Sequence, residues 1–310
     1  MTSAGPMYAP PLIAPVRRIG ARTFDFARQV AVMAVVNRTP DSFYDHGRTF
    51  GFEAAVEACR AATDAGADWV DIGGVPFAPG PALQAEEEIA RVAPVVAAVR
   101  AASDVVISVD TFHSAVARAV LAAGADVIND TTGLSDPELP GIVADAGATL
   151  VITHSLAAVR GSGPRTQYPR PHYDDVVADV AAFLARRVDD AIAAGVASDR
   201  LIVDPGHDLN KNTLQSLELT RRLSEIAELG HPVLAAVSNK DFVGETLDAP
   251  RGDRIEGSLA AAVVAITQGA RIVRMHNVRE SVAAVRMTEA IMGWRAPAGA
   301  LVHNTGEANS

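Results

Sequence analysis

The chain has 310 residues, 49% of them hydrophobic, and carries a formal net charge of −10 at pH 7. This composition supports one large core or two modest ones, whereas the negative charge disfavours nucleic acids and anionic membranes, because phosphate groups bind basic surfaces. One cysteine, Cys59, excludes an internal disulfide framework, and no apolar run reaches the roughly 18 to 20 residues of a membrane span. We therefore expect a cytoplasmic protein.

The N-terminal segment is rich in proline and precedes a hairpin pattern. Prolines interrupt residues 1–15, which we interpret as a flexible lead. Residues 17–25 predict a β-hairpin that turns at Gly20. We expect a single domain over residues 16–293, and we interpret the polar, aperiodic residues 294–310 as a flexible tail.

Strand and helix patterns alternate after the hairpin. The strand candidates are apolar on consecutive residues, which is typical of parallel strands covered on both faces. They span residues 31–37, 69–73, 105–111, 127–131, 149–155, 201–204, 233–238 and 271–276. Amphipathic, mostly alanine-rich patterns predict helices over residues 53–65, 86–101, 114–122, 137–146, 174–194, 213–228, 256–268 and 281–292.

Glycines mark the ends of six of these helix patterns, as is common at helix C-termini. They are Gly66, Gly124, Gly147, Gly195, Gly230 and Gly269. The repeating unit is therefore one strand plus one helix, about 30 residues long. Eight such units predict an α/β fold, a (β/α)8 TIM barrel with an N-terminal β-hairpin. A doubly wound open sheet is the alternative, but the first strand is not followed by a Gly-x-Gly-x-x-Gly motif and the pattern gives no second domain.

Polar residues follow or end the apolar strands. In chain order they are Asn37, Asp71, Asp110, Asn129, His154, Asp204, Lys240, Arg274 and His276. Taken singly, an Asn or Asp at a strand end most often caps a helix or closes a turn, and a histidine such as His154 is more often satisfied by packing. All barrel strands share one orientation, however, and many buried polar groups at one mouth are costly unless they form a site.

The chemistry of this set falls into two groups. Carboxylate and amide groups that can accept several N–H donors suit a flat heterocycle with amino and ring N–H groups; they belong to Asp110, Asn129 and Asp204. Groups that are cationic or can become so suit a diphosphate; they belong to Lys240, Arg274 and His276. The loop after Asn37 adds oxygen ligands of the kind that Mg²⁺ prefers.

These residues lie in motifs that resemble those of dihydropteroate synthase, in order and in spacing. The motifs are Asn37-Arg38-Thr39-Pro40-Asp41-Ser42-Phe43, Asp71-Ile72-Gly73-Gly74, Ser108-Val109-Asp110-Thr111, Ile128-Asn129-Asp130, Asp204-Pro205-Gly206, Asn239-Lys240 and Arg274-Met275-His276. The resemblance covers nearly the whole chain.

The resemblance implies a transferase of folate biosynthesis, which joins a pterin bearing a hydroxymethyl diphosphate to p-aminobenzoate and releases diphosphate. It implies that the pterin is held by Asp110, Asn129, Asp204 and Lys240. It further implies that diphosphate and Mg²⁺ are held by Asn37, Arg274 and His276, with Asn37 as the metal ligand. Lys240, Arg274 and His276 would be the catalytic residues, and family members commonly form homodimers through late helices.

The departures from the family pattern lie on the side of the second substrate. The family continues after Gly74 with Glu-Ser-Thr-Arg-Pro-Gly, whereas this chain has Val75-Pro76-Phe77-Ala78-Pro79-Gly80. Around Lys240 the family has Ser-Arg-Lys-Ser, where this chain has Asn239 before the lysine and Asp241 after it. The family's serine helps to receive the aminobenzoate carboxylate, and two carboxylates about 4 Å apart repel by about 1 to 4 kcal/mol.

We therefore expect a divergent second paralogue that keeps the pterin and diphosphate pocket but has weakened or lost synthase activity. Whether the chain is an enzyme stays open at this point. The alternatives are an active dihydropteroate synthase and a non-catalytic protein that binds a pterin or another anion. A methyltetrahydrofolate-dependent methyltransferase is a further alternative, which Arg274 and His276 disfavour.

Overall fold

The computed structural model describes residues 8–37, 51–74, 83–156, 171–301 and 303, and of Asn37 it describes the backbone alone. Within these ranges the chain forms a closed barrel of eight parallel strands, preceded by a two-stranded antiparallel hairpin. The predicted α/β barrel and its N-terminal hairpin are both confirmed.

The strands follow the predicted pattern closely. The hairpin consists of β1 (Val16–Ile19) and β2 (Arg22–Asp25). The barrel consists of β3 (Ala31–Asn37), β4 (Trp69–Gly73), β5 (Val106–Asp110), β6 (Val127–Asp130), β7 (Thr149–Thr153), β8 (Leu201–Asp204), β9 (Val233–Ala235) and β10 (Ala270–Met275). The barrel closes because β10 pairs with β3, which places Arg274 opposite Met33.

The helices lie between the strands in sequence. They are α1 (Phe52–Asp64), α2 (Ala85–Ala102), α3 (Ser114–Ala122), α4 (Leu139–Asp145), α5 (Val176–Ala193), α6 (Thr213–Arg221), α7 (Leu223–Ala227), α8 (Asp241–Leu247), α9 (Ile255–Thr267) and α10 (Val278–Ile291). Two details differ from the prediction. The helix expected over 213–228 is divided at Arg222, whose backbone angles are φ −107° and ψ 23°, and α8 was not predicted.

Two hydrophobic cores stabilise the barrel. The larger one lies between the strands and the surrounding helices, where buried Val, Ile, Leu and Ala side chains of both layers meet. The smaller one fills the barrel interior and includes Met33, Trp69 and the hairpin residue Phe24. The ring of Phe24 stacks on Phe26 at 5.6 Å and meets Trp69 edge-on at 5.8 Å. The hairpin thus closes the base of the barrel, at the end opposite the carboxyl ends of the strands.

The segment before the hairpin also contacts the barrel. The hydroxyl of Tyr8 donates to the carbonyl of Ser224 at 3.0 Å and to Glu228 Oε1 at 2.9 Å. The buried guanidinium of Arg17 donates to the carbonyl oxygen of Leu201 at 2.7 Å, and also to the carbonyls of residues 13 and 14. The described part of the predicted lead, residues 8–15, therefore lies against the protein. Within the described residues, no helix is both long enough and apolar enough to cross a membrane.

The strand register aligns the polar strand ends at one mouth. Asn37 is opposite Gly73, Gly73 is opposite Asp110, and Asp110 is opposite Asn129. Four neighbouring strands, β3 to β6, thus reach the same level where they end. This is the edge at which barrel proteins of this architecture place their sites.

Candidate active site

Asp71 lies at the centre of the polar cluster in the barrel mouth. Its side chain is fully buried and accepts three hydrogen bonds. Ser108 Oγ donates to Oδ1 at 2.7 Å, Asn129 Nδ2 donates to Oδ2 at 3.1 Å, and Arg274 Nε donates to Oδ2 at 2.6 Å. A turn-forming role alone does not account for this position, because all three donors come from other strands.

Arg274 connects two buried carboxylates. In addition to Asp71, it contacts Asp110, with 3.4 Å between Nη2 and Oδ2. Asp110 also accepts a hydrogen bond from Thr131 Oγ1 at 3.3 Å. Burial alone would lower the pKa of the Arg274 guanidinium, but the two carboxylates outweigh it and the pKa is raised. Arg274 therefore remains a cation in the mouth, where its side chain is 18% exposed.

Asn129 presents an acceptor that has no partner within the protein. Its amide nitrogen donates to Asp71, which fixes the orientation of the side chain. The amide oxygen, Oδ1, is buried and makes no hydrogen bond. An unpaired buried acceptor costs about 1–3 kcal/mol, and a ligand N–H group would remove that cost. Asn129 is thus poised to accept a hydrogen bond from a ligand.

Asp204 is a buried carboxylate whose pKa is raised. Burial raises its pKa to about 6, although Lys240, Arg274 and Lys211 act in the opposite direction. Its Oδ1 accepts the backbone N–H of Gly206 at 2.7 Å. Gly206 has φ +69°, and a Cβ there would lie 2.2 Å from the carbonyl oxygen of His154. Only glycine fits this turn, which holds the Asp204 carboxylate in place.

Lys240 and His276 are held by neighbours on the same rim. Lys240 Nζ donates to the carbonyl oxygen of His207 at 3.2 Å, just before α8 begins. His276 lies within 3.1 Å of Ser238 Oγ through both its backbone nitrogen and its ring Nδ1. The structure thus brings Asp110, Asn129 and Arg274 together around Asp71. The positive charge of Lys240 acts to lower the pKa of Asp204. The side chain of Asn37 lies outside the described residues.

His154, another predicted strand-end residue, is buried and packs against the residues that support the mouth. Its side chain is buried and packs edge-on against Phe183, with 4.7 Å between ring centroids. Burial, followed by the nearby Lys211, lowers its pKa to about 3, so the imidazole is neutral. Its Nδ1 lies 2.9 Å from Lys211 Nζ and accepts a hydrogen bond from it. The packing role considered for His154 therefore agrees with the structure.

Three residues of the mouth were missed by the sequence analysis. Lys211 is buried and interacts with Asp204 by charge. Asp208 lies on the same loop as Lys211, and Arg254 reaches from the start of α9 to the segment around Lys240. One available signal was composition: the chain has 27 Lys and Arg residues, of which the only lysines are Lys211 and Lys240. No comparable pattern marks Asp208 or Arg254, because loop geometry brings them to the site.

The rim beyond Lys240 carries two carboxylates. Oδ2 of Asp208 accepts the backbone N–H groups of Asp241 at 2.6 Å and of Phe242 at 3.3 Å, the first two residues of α8. The side chain of Asp241 is 54% exposed and pairs with Arg254 at 3.1 Å and with Arg251 at 3.6 Å. Two arginines thus partly balance the charge of Asp241. The altered loop at 75–80 lies outside the described residues.

Asn37 as a magnesium ligand stays a prediction, because its side chain lies outside the described residues. Among the described residues, no group of three or more His, Cys, Asp or Glu side chains could hold a metal ion. Mg²⁺ commonly binds through one or two protein oxygens, substrate phosphates and water, so it does not need such a group. The backbone of Asn37 ends β3 beside Gly73 at the mouth.

The fold and the mouth define an α/β-barrel protein with a buried polar cluster at the carboxyl ends of its strands. The chain belongs to the pterin binding enzyme family, whose model matches residues 33–276. The family resemblance found in the sequence motifs is thereby confirmed.

Individual relatives support the same assignment. "Inactive dihydropteroate synthase 2" of Mycobacterium leprae (strain TN) is 44% identical over 275 residues, covering 86% of this chain and 92% of that protein. "Dihydropteroate synthase" of Escherichia coli (strain K12) is 38% identical over 262 residues, covering 84% of this chain and 91% of that protein. The structure of Xanthomonas albilineans dihydropteroate synthase with 4-aminobenzoic acid matches with a TM-score of 0.81 and 38% identity, covering 89% of this chain and 98% of that chain.

Proposed function

We propose that this protein binds a pterin and its diphosphate in the barrel mouth, and that its dihydropteroate synthase activity is weak or absent. The observation that carries the proposal is a contrast between two groups of residues in the mouth. The first group offers the unpaired amide oxygen of Asn129 and the carboxylate of Asp204 to a ligand. The second group, Asp208 and Asp241, consists of two carboxylates that are engaged within the chain.

The pterin side suits a heterocycle rich in N–H groups. The Oδ1 atom of Asn129 and the carboxylates of Asp110 and Asp204 are acceptors in one mouth, and a pterin supplies amino and ring N–H donors. Lys240 is an N–H donor for the carbonyl group and ring nitrogens of the same ligand. A buried acceptor set of this kind selects strongly against ligands that lack the matching donors.

The diphosphate side rests on Arg274, His276 and Asn37. Arg274 is a cation at the mouth, and a guanidinium binds phosphate oxygens in a two-pronged geometry. We assign Mg²⁺ to Asn37 and to the diphosphate itself. When bound, the ion would offset the charge of the departing diphosphate.

The residues that would receive p-aminobenzoate argue against full synthase activity. In the family a serine at the position of Asp241 helps to receive the aminobenzoate carboxylate. Here Asp208 already occupies the first two N–H groups of α8, and the side chain of Asp241 engages Arg254 and Arg251. The carboxylate of p-aminobenzoate would thus meet two carboxylates of the protein, and the two backbone N–H donors of α8 would already be occupied. The name of the Mycobacterium leprae relative, an inactive dihydropteroate synthase 2, agrees with this reading.

Assembly and location complete the proposal. Large apolar side chains are exposed on the late helices α9 and α10, namely Val264, Met287 and Ile291 at 44%, 61% and 69%. A homodimer that covers them would remove apolar surface from water. We propose such a homodimer in the cytoplasm, and light scattering on the purified protein measures its mass directly.

Calorimetric titration with the pterin diphosphate, with and without Mg²⁺, tests the pterin half. We expect binding by the wild type and a loss of at least about tenfold in Asn129→Leu, which removes the unpaired acceptor. Thr149→Val is the matched control, because Thr149 Oγ1 is also buried and unpaired but lies at the start of β7, far from the mouth. Absence of pterin binding by the wild type at every Mg²⁺ concentration contradicts the proposal.

A synthase assay with p-aminobenzoate tests the second half of the proposal, which is weak or absent synthase activity. We expect little or no turnover by the wild type and a gain in Asp208→Gly/Asp241→Ser, which frees the N–H groups of α8 and releases Arg254. Asp248→Gly is the matched control. It removes a carboxylate from a residue with the same left-handed backbone, φ +51° against +64° for Asp208, at the other end of α8, and glycine adopts this backbone without strain. If turnover does not increase in the double variant, Asp208 and Asp241 are not the residues that oppose p-aminobenzoate.

An active synthase is the second candidate, and one observation favours it. The pairing of Asp241 with Arg254 and Arg251 reduces the repulsion that an acidic acceptor would feel. Rapid condensation of p-aminobenzoate by the wild-type protein would establish this alternative and exclude the weak-activity half of the proposal.

A further inference from the structure

Lys211 makes contacts that connect it to Asp204 by two routes. The side chain is buried, and its ammonium group donates to three acceptors. These are His154 Nδ1 at 2.9 Å, the carbonyl oxygen of Gly206 at 2.9 Å and the carbonyl oxygen of Leu209 at 2.8 Å. An ammonium group has three N–H donors, so every donor is used.

Both routes end on Asp204. The backbone N–H of Gly206 donates to Asp204 Oδ1 at 2.7 Å, and the carbonyl of the same glycine is held by Lys211. The backbone N–H of His154 donates to the carbonyl oxygen of Asp204 at 2.8 Å, and the ring of the same histidine is held by Lys211. Lys211 therefore braces the two chain segments that flank the Asp204 carboxylate.

Lys211 acts on Asp204 through its charge as well as through its hydrogen bonds. Asp204 faces three cations, Lys240 before α8, Arg274 on β10 and Lys211 on its own loop, and each lowers its pKa against the effect of burial. Lys211 in turn faces Asp204, Asp208 and Lys240, and burial lowers its own pKa to about 7. His154 and His207, which flank the ammonium group, have pKa values lowered to about 3 and add no charge near neutral pH.

The residue type at position 211 is itself informative. The chain uses arginine for 25 of its 27 Lys and Arg residues and lysine at two positions, both beside Asp204. An ammonium group directs its three donors from one nitrogen atom, whereas the planar guanidinium of arginine spreads its donors over three nitrogen atoms.

We propose that Lys211 is a positioning residue for the pterin site, which holds the Asp204 carboxylate in its binding geometry and stabilises its negative charge. The inference rests on the proposed pterin binding, because Asp204 is the group through which Lys211 acts. Lys211 itself is buried, and all three of its donors are used within the protein.

The pH profile of pterin binding separates this role from a structural one. In Lys211→Met we expect at least a tenfold loss of affinity at pH 7 and an upward shift of the pH midpoint by about one unit or more, because a nearby positive charge is lost. A residue that only supports the fold would lower affinity at all pH values without moving the midpoint. An unchanged midpoint in Lys211→Met overturns the proposal.

Arg17→Met is the matched control. Arg17 is a buried cation that also donates to three carbonyl groups, but it lies at the base of the barrel. Its loss is expected to lower the free energy of unfolding without moving the pH midpoint of binding. A similar shift in both variants would assign the effect to lost stability, and the proposal would fail.

A measurement on the ligand-free protein keeps the inference separate from pterin binding. Because the chain has two lysines, ¹³C-lysine NMR gives two side-chain signals that Lys211→Met assigns. We expect the Lys211 signal to titrate near pH 7 in the wild type and at lower pH in Asp204→Asn, since the carboxylate raises the pKa of Lys211. An identical titration in both proteins overturns the coupling, whereas failure of pterin binding alone contradicts only the proposed function.

Discussion

At the scale of single residues, the mouth depends on buried charges that are balanced across strands. Asp71, Asp110 and Asp204 are carboxylates with little or no solvent exposure, and Arg274 contacts two of them. Such groups are stable only in combination, because removing one partner leaves an uncompensated charge in a poorly solvated place. The sensitivity of the site to mutation and to pH follows directly.

Pterin binding is expected to depend on pH through Asp204. Its pKa is raised to about 6, so the carboxylate is protonated at pH 5 and ionised at pH 7. The ionised form accepts two or more N–H donors, whereas the protonated form loses part of that capacity. Affinity measured by calorimetry should therefore rise from pH 5 to pH 7 and level off above. Asp204→Asn should weaken binding and flatten the profile, and a wild-type profile that falls with pH would contradict the assignment.

Arg274→Met is expected to destabilise the protein by about 3–5 kcal/mol at pH 7, because Asp71 and Asp110 lose their shared cation. Urea denaturation at pH 7 measures the change. Arg187→Met serves as the control, since Arg187 pairs with Asp190 on the exposed face of α5. Exposed pairs contribute about 0–1 kcal/mol, so a comparable loss in both variants would rule out the special role of Arg274.

At the scale of elements, the sequence pattern predicted the barrel strands well and the mouth loops poorly. Residues 69–73 and 201–204 form strands with the predicted bounds, because continuous apolar runs between polar residues determine them. The short helix α8 was missed, since its seven residues include Gly244 and give too few turns for a periodic pattern. Asp208 was missed for a related reason: its left-handed backbone, φ +64°, directs the carboxylate to α8.

Among the residues of the candidate site, those at strand ends were predicted from the sequence and those on loops were not. Strand-end position identified Asp110, Asn129 and Asp204, since parallel strands place their carboxyl ends together. Asp71 was named as a strand-end residue, but its central place depends on donors from three other strands. Lys211 and Arg254 act through contacts between loops, which leave no periodic trace in the sequence.

The start of α6 provides a test at this scale. Asn212 forms a capping box, in which its side chain accepts the N–H of Gln215 at 2.9 Å and the side chain of Gln215 accepts the N–H of Asn212 at 2.9 Å. Asn212→Ala should lower the free energy of unfolding by about 1 kcal/mol. Asn212→Ser should retain most of it, because serine caps equally well. Equal losses in chemical denaturation of the two variants would show that the cap is not the cause.

At the scale of the whole molecule, the base and the mouth of the barrel have separate roles. The base is closed by the hairpin, with Phe24 between Phe26 and Trp69. The mouth carries the polar cluster at the opposite ends of the same strands. The residues that contribute most to the interior packing are therefore distant from the residues that would contact a ligand.

Phe24→Ala is expected to cost about 3–5 kcal/mol of stability, because a large buried ring leaves a cavity in the base. The affinity for pterin, measured below the denaturation midpoint, should stay within about twofold of the wild type. Val16→Ala, at an exposed position of the same hairpin, should change neither quantity appreciably. A large loss of affinity in Phe24→Ala would show that base and mouth are coupled.

The hairpin that seals the barrel has an evolutionary consequence. A gene copy freed from its original metabolic duty can accumulate changes around the opening while the sealed end continues to secure the fold. Such a copy would keep its fold and, under the proposed function, would still bind a metabolite. Loss of a chemical step and survival of the protein are then compatible outcomes of the same architecture.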